Sequence, residues 1–357
     1  MLRNIFQFVK KNFIPISVTG ICMYGLYLRL ILLHQHTLWG DEVFQLSQMK
    51  GSFLDLLLSL PINDHAAYLE GDHYLIYPFF KIFSYNKWGL AIPHIIATII
   101  GFYLLYLICK RYFKSIWAYF ITFSIVCFNA TLTYHSIEIR PYAVLPTLAL
   151  ATFYLFQKIS DTGFKLTLKK RIGFTAFFIL VIWFHIYGIL MFISCLMFII
   201  VARYLENNPD FKLYLRKSIS FSAVILIITL PLLLYCIVGP RLLVPEDFQR
   251  TFVFIPDPFQ HIVGFLKGVI CNLLGNKKLY FLFPGIIIPF VFSYKDRPKQ
   301  ILFLFFIIIL PITLLLFADI VTRYYFIQRQ FVWVMPFFAF FLGWSWDALF
   351  QLLRRRK

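Results

Sequence analysis

Asp41 and Glu42 stand side by side in HTLWGDEVF, directly after a long apolar segment. Two adjacent carboxylates at a membrane surface, behind Trp39 and Gly40, are placed for proton abstraction, because partial burial lifts a carboxyl toward working pH. A structural alternative makes Asp41 a helix N-cap, with Glu42 facing the helix dipole. A second group, YHSIEIRPYA, packs His135, Glu138, Arg140 and Tyr142 between two apolar runs. Ionisable groups at such depth are costly unless paired or lining a polar cavity. Arg140 has the planar fork that suits a phosphate; the plainer reading pairs it with Glu138. A third group, TRYYFIQRQF, carries Arg323 and Arg329. Two arginines at membrane level fit an anionic ligand, most simply a lipid phosphate, or else snorkel to ordinary headgroups.

Weaker candidates follow. Asp72 and His73 in EGDHYLIYPFF, and His185 in WFHIYG, are each as much at home as satisfied hydrogen-bonding groups. Asp64/His65 and His34/His36 are metal-ligand types without metal-site spacing, so neither a metal nor another cofactor is assigned. The cysteines show no CxxC pattern, and most read as small hydrophobes.

These groups need elements to hold them, and the composition says which. Of 357 residues, 61% are hydrophobic and 14% charged, against about 25% charged in soluble domains. That excludes a cytosolic enzyme, a secreted disulfide scaffold and a disordered chain, and predicts an all-α polytopic membrane protein. Apolar runs of ~20 residues predict ten spans, at about 13–33, 90–108, 116–134, 142–157, 173–186, 188–202, 219–238, 279–293, 300–318 and 328–347. The basic N-terminal flank lacks a small-residue cleavage site, so the first apolar run reads as a span. No internal repeat is evident, and no soluble domain is expected after the last span.

Basic residues orient the chain. The segments 3–11, 110–114, 158–171, 203–217, 295–299 and 354–357 hold 22 of the 34 lysines and arginines. All eight histidines and 11 of the 16 acids fall on the other side, with Arg29 assigned there too. Both termini are therefore expected in the cytoplasm, and any proton chemistry faces outward. A pI near 9.6 needs no nucleic-acid partner, because membrane orientation explains the scattered charge. Two outward loops are long, about 34–89 and 239–278. The first carries Val43, Leu46, Phe53, Leu54, Leu57, Leu58 and Leu60 on a rough helical stripe; the second has a similar stripe from Phe259 to Leu274. Helices lying in the interface fit both. The charged, Pro-rich stretch before the second stripe reads as a lid.

The order WGDE, interfacial loop, then YHSIEIRPY resembles membrane glycosyltransferases of the GT-C superfamily that use polyprenyl-phosphate sugars. Similar groups are the protein O-mannosyltransferases, lipid A aminoarabinose transferases and rhizobial lipopolysaccharide sugar transferases. The resemblance covers roughly 13–200, and 320–345 loosely. It implies a GT-C fold in one membrane domain, with Asp41 as base or acceptor-aligning carboxylate and Glu42 as its partner. It further implies that Glu138 and Arg140, with Tyr142, lie near the donor, and that Arg329 and Arg323 meet the lipid phosphate. Asp72, His73, His135 and His185 are left as acceptor-side candidates. The chain departs from the pattern at His73-Tyr-Leu-Ile-Tyr77, which lacks two prolines, and at Ala91, where an arginine is usual. The implied activity is inverting sugar transfer from a polyprenyl-phosphate donor to a hydroxyl of a glycan, lipid or protein. The expected setting is the outer face of a bacterial cytoplasmic membrane, the Phe-, Ile- and Lys-rich usage fitting an AT-rich genome. The rival readings are a lipid-linked glycan flippase, which would carry charge in mid-span and an internal repeat, and an O-antigen polymerase or ligase using the 239–278 loop.

Overall fold

The computed structural model describes residues 12–59, 71–207, 209–243, 281–282, 284–291, 297–322 and 328–355, with Leu273. Among these residues there are helices and turns and no strand. In chain order the helices are α1 (Phe13–Gln35), α2 (Gly40–Ser47), α3 (Phe53–Ser59), α4 (Asp72–Phe83), α5 (Lys87–Tyr112), α6 (Ile116–Phe128), α7 (Ala130–His135) and α8 (Leu145–Asp161). Then follow α9 (Leu168–Phe184), α10 (Tyr187–Leu205), α11 (Phe211–Leu243), α12 (Pro284–Val291), α13 (Arg297–Phe303), α14 (Leu310–Thr322) and α15 (Met335–Arg355).

Six of the described segments are long and apolar enough to cross a bilayer: Phe13–Gln35, Lys87–Tyr112, Tyr187–Leu205, Phe211–Leu234, Arg297–Phe317 and Phe331–Arg354. At 1.5 Å per residue the 23 residues of α1 reach about 34 Å, enough for a ~30 Å hydrocarbon core. The chain is an all-α, multi-pass membrane protein. Its outward faces are apolar: Ile96, Ile99, Ile100 and Tyr103 of α5 are exposed, while Ala97, Thr98, Gly101 and Leu105 on the opposite side are buried. Such a surface belongs in lipid.

Local chemistry sets the helix limits. Asn86, Ser115 and Asn129 cap α5, α6 and α7, each side-chain oxygen accepting a backbone N–H of the first turn. The expected third span is thus two helices, broken at Asn129. Arg29 of α1, 2% exposed, closes the break. It donates to the carbonyls of Cys127 at 3.1 Å and Val126 at 3.3 Å, and to its own Gly25 at 2.9 Å. A cation at a helix C-terminus satisfies orphan carbonyls and meets the dipole, so Arg29 is buried in the packing. Between α13 and α14, residues Leu304–Ile309 widen into a π-helical stretch. Pro311 follows and has no N–H for the preceding turn, which accounts for the widening.

The α15 segment is the hub, with 89% of its apolar window buried against 22% for α1. Its Gly343 lies against α6, where a Cβ would come within 2.8 Å of the Ala118 carbonyl and meet Thr122. Small residues let membrane helices approach in this way. Asp347 then accepts the N–H groups of Ser115 at 2.6 Å and Lys114 at 3.1 Å, fixing α15 to the start of α6.

The first outward loop corrects its expected stripe. The stripe region 40–59 forms two short helices, α2 and α3, with Leu60 outside the described residues. They are separated by a turn in which the Ser52 hydroxyl and Asp55 carboxylate exchange bonds with each other's backbone N–H groups. This rotates α3, so that Leu56 is buried while Phe53, Leu54 and Leu57 are exposed. Of the second expected stripe and its lid, only Leu273 lies within the described residues after position 243.

Close α15–α6 packing yields a stability test. Gly343→Val is expected to cost about 1–3 kcal/mol through overpacking, read as a lower unfolding midpoint in detergent. Gly20→Ala, whose added Cβ would meet nothing within 4 Å, should not lower the midpoint, since Ala is the better helix former.

Candidate functional site

The site gathers at one end of the bundle: the end of α1, the starts of α2, α4 and α5, the 136–144 segment, and the turn before α15. Trp39 is the N-cap of α2, not Asp41, and places Asp41 and Glu42 in the first turn. Successive helical residues point about 100° apart, so the two carboxylates diverge.

Glu42 goes inward and is fully buried. Its carboxylate accepts the N–H of Ile139 at 2.6 Å and of Trp39 at 3.0 Å, and bonds His36 Nε2 at 2.8 Å. Lys87 reaches the carbonyls of His34 and His36 from α5, both at 2.6 Å. His36 therefore serves Glu42, and no group of three metal-ligating side chains occurs among the described residues. Asp41 goes outward, its side chain 40% exposed, and accepts from Arg329 at 3.2 Å. The Arg329 guanidinium also lies over the rings of Tyr142 at 5.2 Å and Trp39 at 5.6 Å, cation–π distances that hold it between the two faces.

A second chain of bonds runs deeper. Asp72 and His94 are both fully buried, with Oδ1 to Nε2 at 2.9 Å. Gln45 donates its amide N–H to Asp72 Oδ2 at 2.8 Å, and its carbonyl oxygen accepts from Arg140 at 3.3 Å. Burial opposes the charge on Asp72. The neighbouring His94 ring and the bonds from His94 and Gln45 outweigh it and hold the carboxyl below its ordinary range. His73 bonds Gln48 at 2.7 Å. Glu138, offered as a partner for Arg140, bonds His135 Nδ1 at 2.5 Å.

Of the residues singled out from the sequence, Asp41, Glu42, Arg140, Tyr142 and Arg329 converge, with Asp72 joined through Gln45. His135, Glu138 and His185 line the same end: the ring of Tyr142 lies 6.1 Å from both His135 and His185. His185 sits in the break between α9 and α10, where its Nδ1 accepts the Tyr187 N–H at 3.2 Å. Arg323, Asp64 and His65 lie outside the described residues. Sequence reading did not single out Gln45, Gln48, His94 and Lys87. His94 had a signal, as a histidine within an apolar span; Gln45 and Gln48 fall at i+4 and i+7 from Asp41, on one helical face.

Beside Asp41, Arg329 Nε and Trp39 Nε1 are buried without an acceptor among the described residues. Such groups are rare in native structures, and here they flank a carboxylate, a guanidinium and two ring faces. The neighbouring cavity, lined by Arg29, Thr98, Ser136 and Tyr142 among others, is only about 40 Å³, space on the scale of water. No known protein family, curated protein or solved structure matches the chain.

The two adjacent carboxylates should separate experimentally. Glu42→Gln turns an acceptor-only group into one with two donors facing backbone N–H groups, and is expected to cost about 1–3 kcal/mol or more. Asp41→Asn removes a half-exposed ion pair and should cost under about 1 kcal/mol. Unfolding midpoints in one detergent compare them directly. Asp72 adds a pH signature. Its depressed carboxyl contributes stability above the unfolded pKa near ~3.9, and that contribution is lost as pH falls through the folded value. Asp72→Asn should flatten this acid limb.

Proposed function

We propose that the protein transfers a sugar from a polyprenyl-phosphate donor to a hydroxyl acceptor at the outer surface of a bacterial cytoplasmic membrane, as a GT-C-type glycosyltransferase with ten spans and cytoplasmic termini. The observation that carries the reading is the Asp41–Arg329 pair held between Trp39 and Tyr142, beside unspent donors at the bundle end rich in acids and histidines. The reaction needs a proton acceptor, a cation for a departing phosphate, and surfaces for a sugar ring. All three residue types stand here within one cluster.

In this mechanism the acceptor hydroxyl attacks the anomeric carbon as its proton passes to Asp41. A new C–O bond forms, the bond to the carrier phosphate breaks, and the electron pair leaves with the phosphate. Arg329 and Arg140 neutralise that charge as it grows. A carboxylate bonded to a guanidinium is a poor proton acceptor, so the donor phosphate must draw Arg329 away from Asp41 first. Nearby carboxylates and ring faces stabilise the oxocarbenium-like transition state. Glu42 positions: with its oxygens spent on His36, Trp39 and Ile139, it fixes the turn that aims Asp41.

The test is transfer from a panel of synthetic polyprenyl-phosphate sugars in nanodiscs with glycan, lipid and peptide acceptors. Wild type should consume a donor. Asp41→Asn should lower kcat by about 10²–10⁴, the usual share of a general base, and Arg329→Gln should raise KM and lower kcat. Folded wild type that consumes no donor overturns the reading.

A further inference from the structure

The opposite end of the bundle holds a second polar cavity, of about 340 Å³, within the ~300–1,000 Å³ of small-ligand sites. It lies where α5, α8 and α10 end and α13 begins. Arg111, Lys114, Arg203 and Lys299 line it together with Asp161 and Glu206, four cations against two carboxylates. Arg111 clamps Asp161 with both terminal nitrogens, each at 2.6 Å. Glu206 is shared between Arg203 at 2.9 Å and Lys299 at 2.7 Å.

The carboxylates are thus already spent, and the donors are not. Arg203 keeps a buried Nε with no acceptor among the described residues, and a single carboxylate oxygen occupies each of Lys299 and the Arg203 terminus. The Lys114 ammonium makes no ion pair within 4 Å among the described residues; its backbone N–H bonds Asp347, and its charge also acts on that carboxylate from farther away. Cations placed to orient a membrane protein or to meet helix C-termini need no shared void. These surround one, and its inner wall is apolar, from Phe198, Ile199 and Trp344. An excess of guanidinium and ammonium donors calls for a compact anion with several acceptor oxygens. A basic recess between spans on the positively charged side matches an anionic headgroup.

We propose that this cavity binds a phosphate group, carried by an anionic phospholipid headgroup or by free phosphate, at the membrane face opposite the candidate transfer site. The proposal is independent of the reaction proposed above.

Purified full-length protein in neutral detergent, at constant ionic strength, is titrated with phosphatidylglycerol, phosphatidylcholine or inorganic phosphate. Retained ligand is read by native mass spectrometry and the unfolding midpoint by tryptophan fluorescence. Phosphatidylglycerol should bind and raise the midpoint, and phosphatidylcholine should not. Lys114→Gln/Lys299→Gln should weaken that binding about tenfold or more, and Lys114→Arg/Lys299→Arg should retain it. Lys169→Gln/Lys170→Gln removes the same charge from exposed residues of α9 outside the cavity, and should change affinity less than about twofold. Saturable phosphate that displaces the lipid supports the site and assigns it to free phosphate. Lipid binding indifferent to phosphate supports it and assigns the headgroup. Equal weakening by both Gln pairs overturns the proposal, as does a protein that prefers neither ligand over phosphatidylcholine. Unliganded midpoints of the variants report their folding separately.

Discussion

The candidate site depends on one buried carboxylate. Glu42 has no exposed surface, and its oxygens meet His36, the Trp39 N–H and the Ile139 N–H. Those partners come from three places: the tail of α1, the cap of α2, and the segment after α7. A buried charge is tolerated only when such bonds compensate its lost hydration. The three strands of chain are therefore locked to one geometry. Trp39, Asp41 and Arg140 inherit their positions from it, because each sits within three residues of a Glu42 partner or of Glu42 itself.

Gln45 extends that lock with a direction. An amide has one donor end and one acceptor end. The carboxylate of Asp72 accepts only, so it fixes which end of Gln45 faces it. The carbonyl oxygen is then turned toward Arg140. The deep Asp72–His94 pair thereby sets the orientation of a side chain two bonds away without touching it. A glutamate at 45 would bring two like charges together at Asp72, and a leucine would remove both the bond to Asp72 and the bond from Arg140.

Much of this was legible in the residues. Apolar run lengths pointed to a multi-pass helical membrane protein, although six described segments rather than the ten expected are long and apolar enough to cross. The sorting of Asp, Glu and His pointed to the end where Asp41, Glu42, Asp72 and Glu138 gather. Asp41, Arg140, Tyr142 and Arg329 stood out because charge beside apolar runs is costly. Other parts were hidden for physical reasons. The break at Asn129 looks like a continuous span, since the arginine that satisfies its freed carbonyls is about a hundred residues earlier in the chain. Gln45 and Lys87 carry no motif; their roles exist only once α2, α4 and α5 pack. Asp41 as N-cap was a fair reading of composition, and Trp39 took the position because Glu42 reaches back to its N–H. The basic cavity was hidden in a charge bias that orientation alone would produce.

The two ends of the bundle apply one rule in opposite ways. At the basic end, Arg111 holds Asp161 while Arg203 and Lys299 share Glu206, and four cations line the void against two carboxylates. At the other end Arg329 has one carboxylate, half exposed, and two ring faces. A guanidinium placed to receive an anion needs a counter-ion while the site is empty, or burial would disfavour it. Asp41 fills that role at 3.2 Å, a long bond by the standard of charge-assisted pairs, and long bonds are easily exchanged. Under the proposed reaction this couples arrival of the donor to readiness of the base. Arg329 leaves Asp41 for the phosphate, and the carboxylate it releases is the one nearest the incoming hydroxyl. On that proposal, Asp41 stays paired with Arg329 until a lipid phosphate arrives, and idle proton transfer is disfavoured.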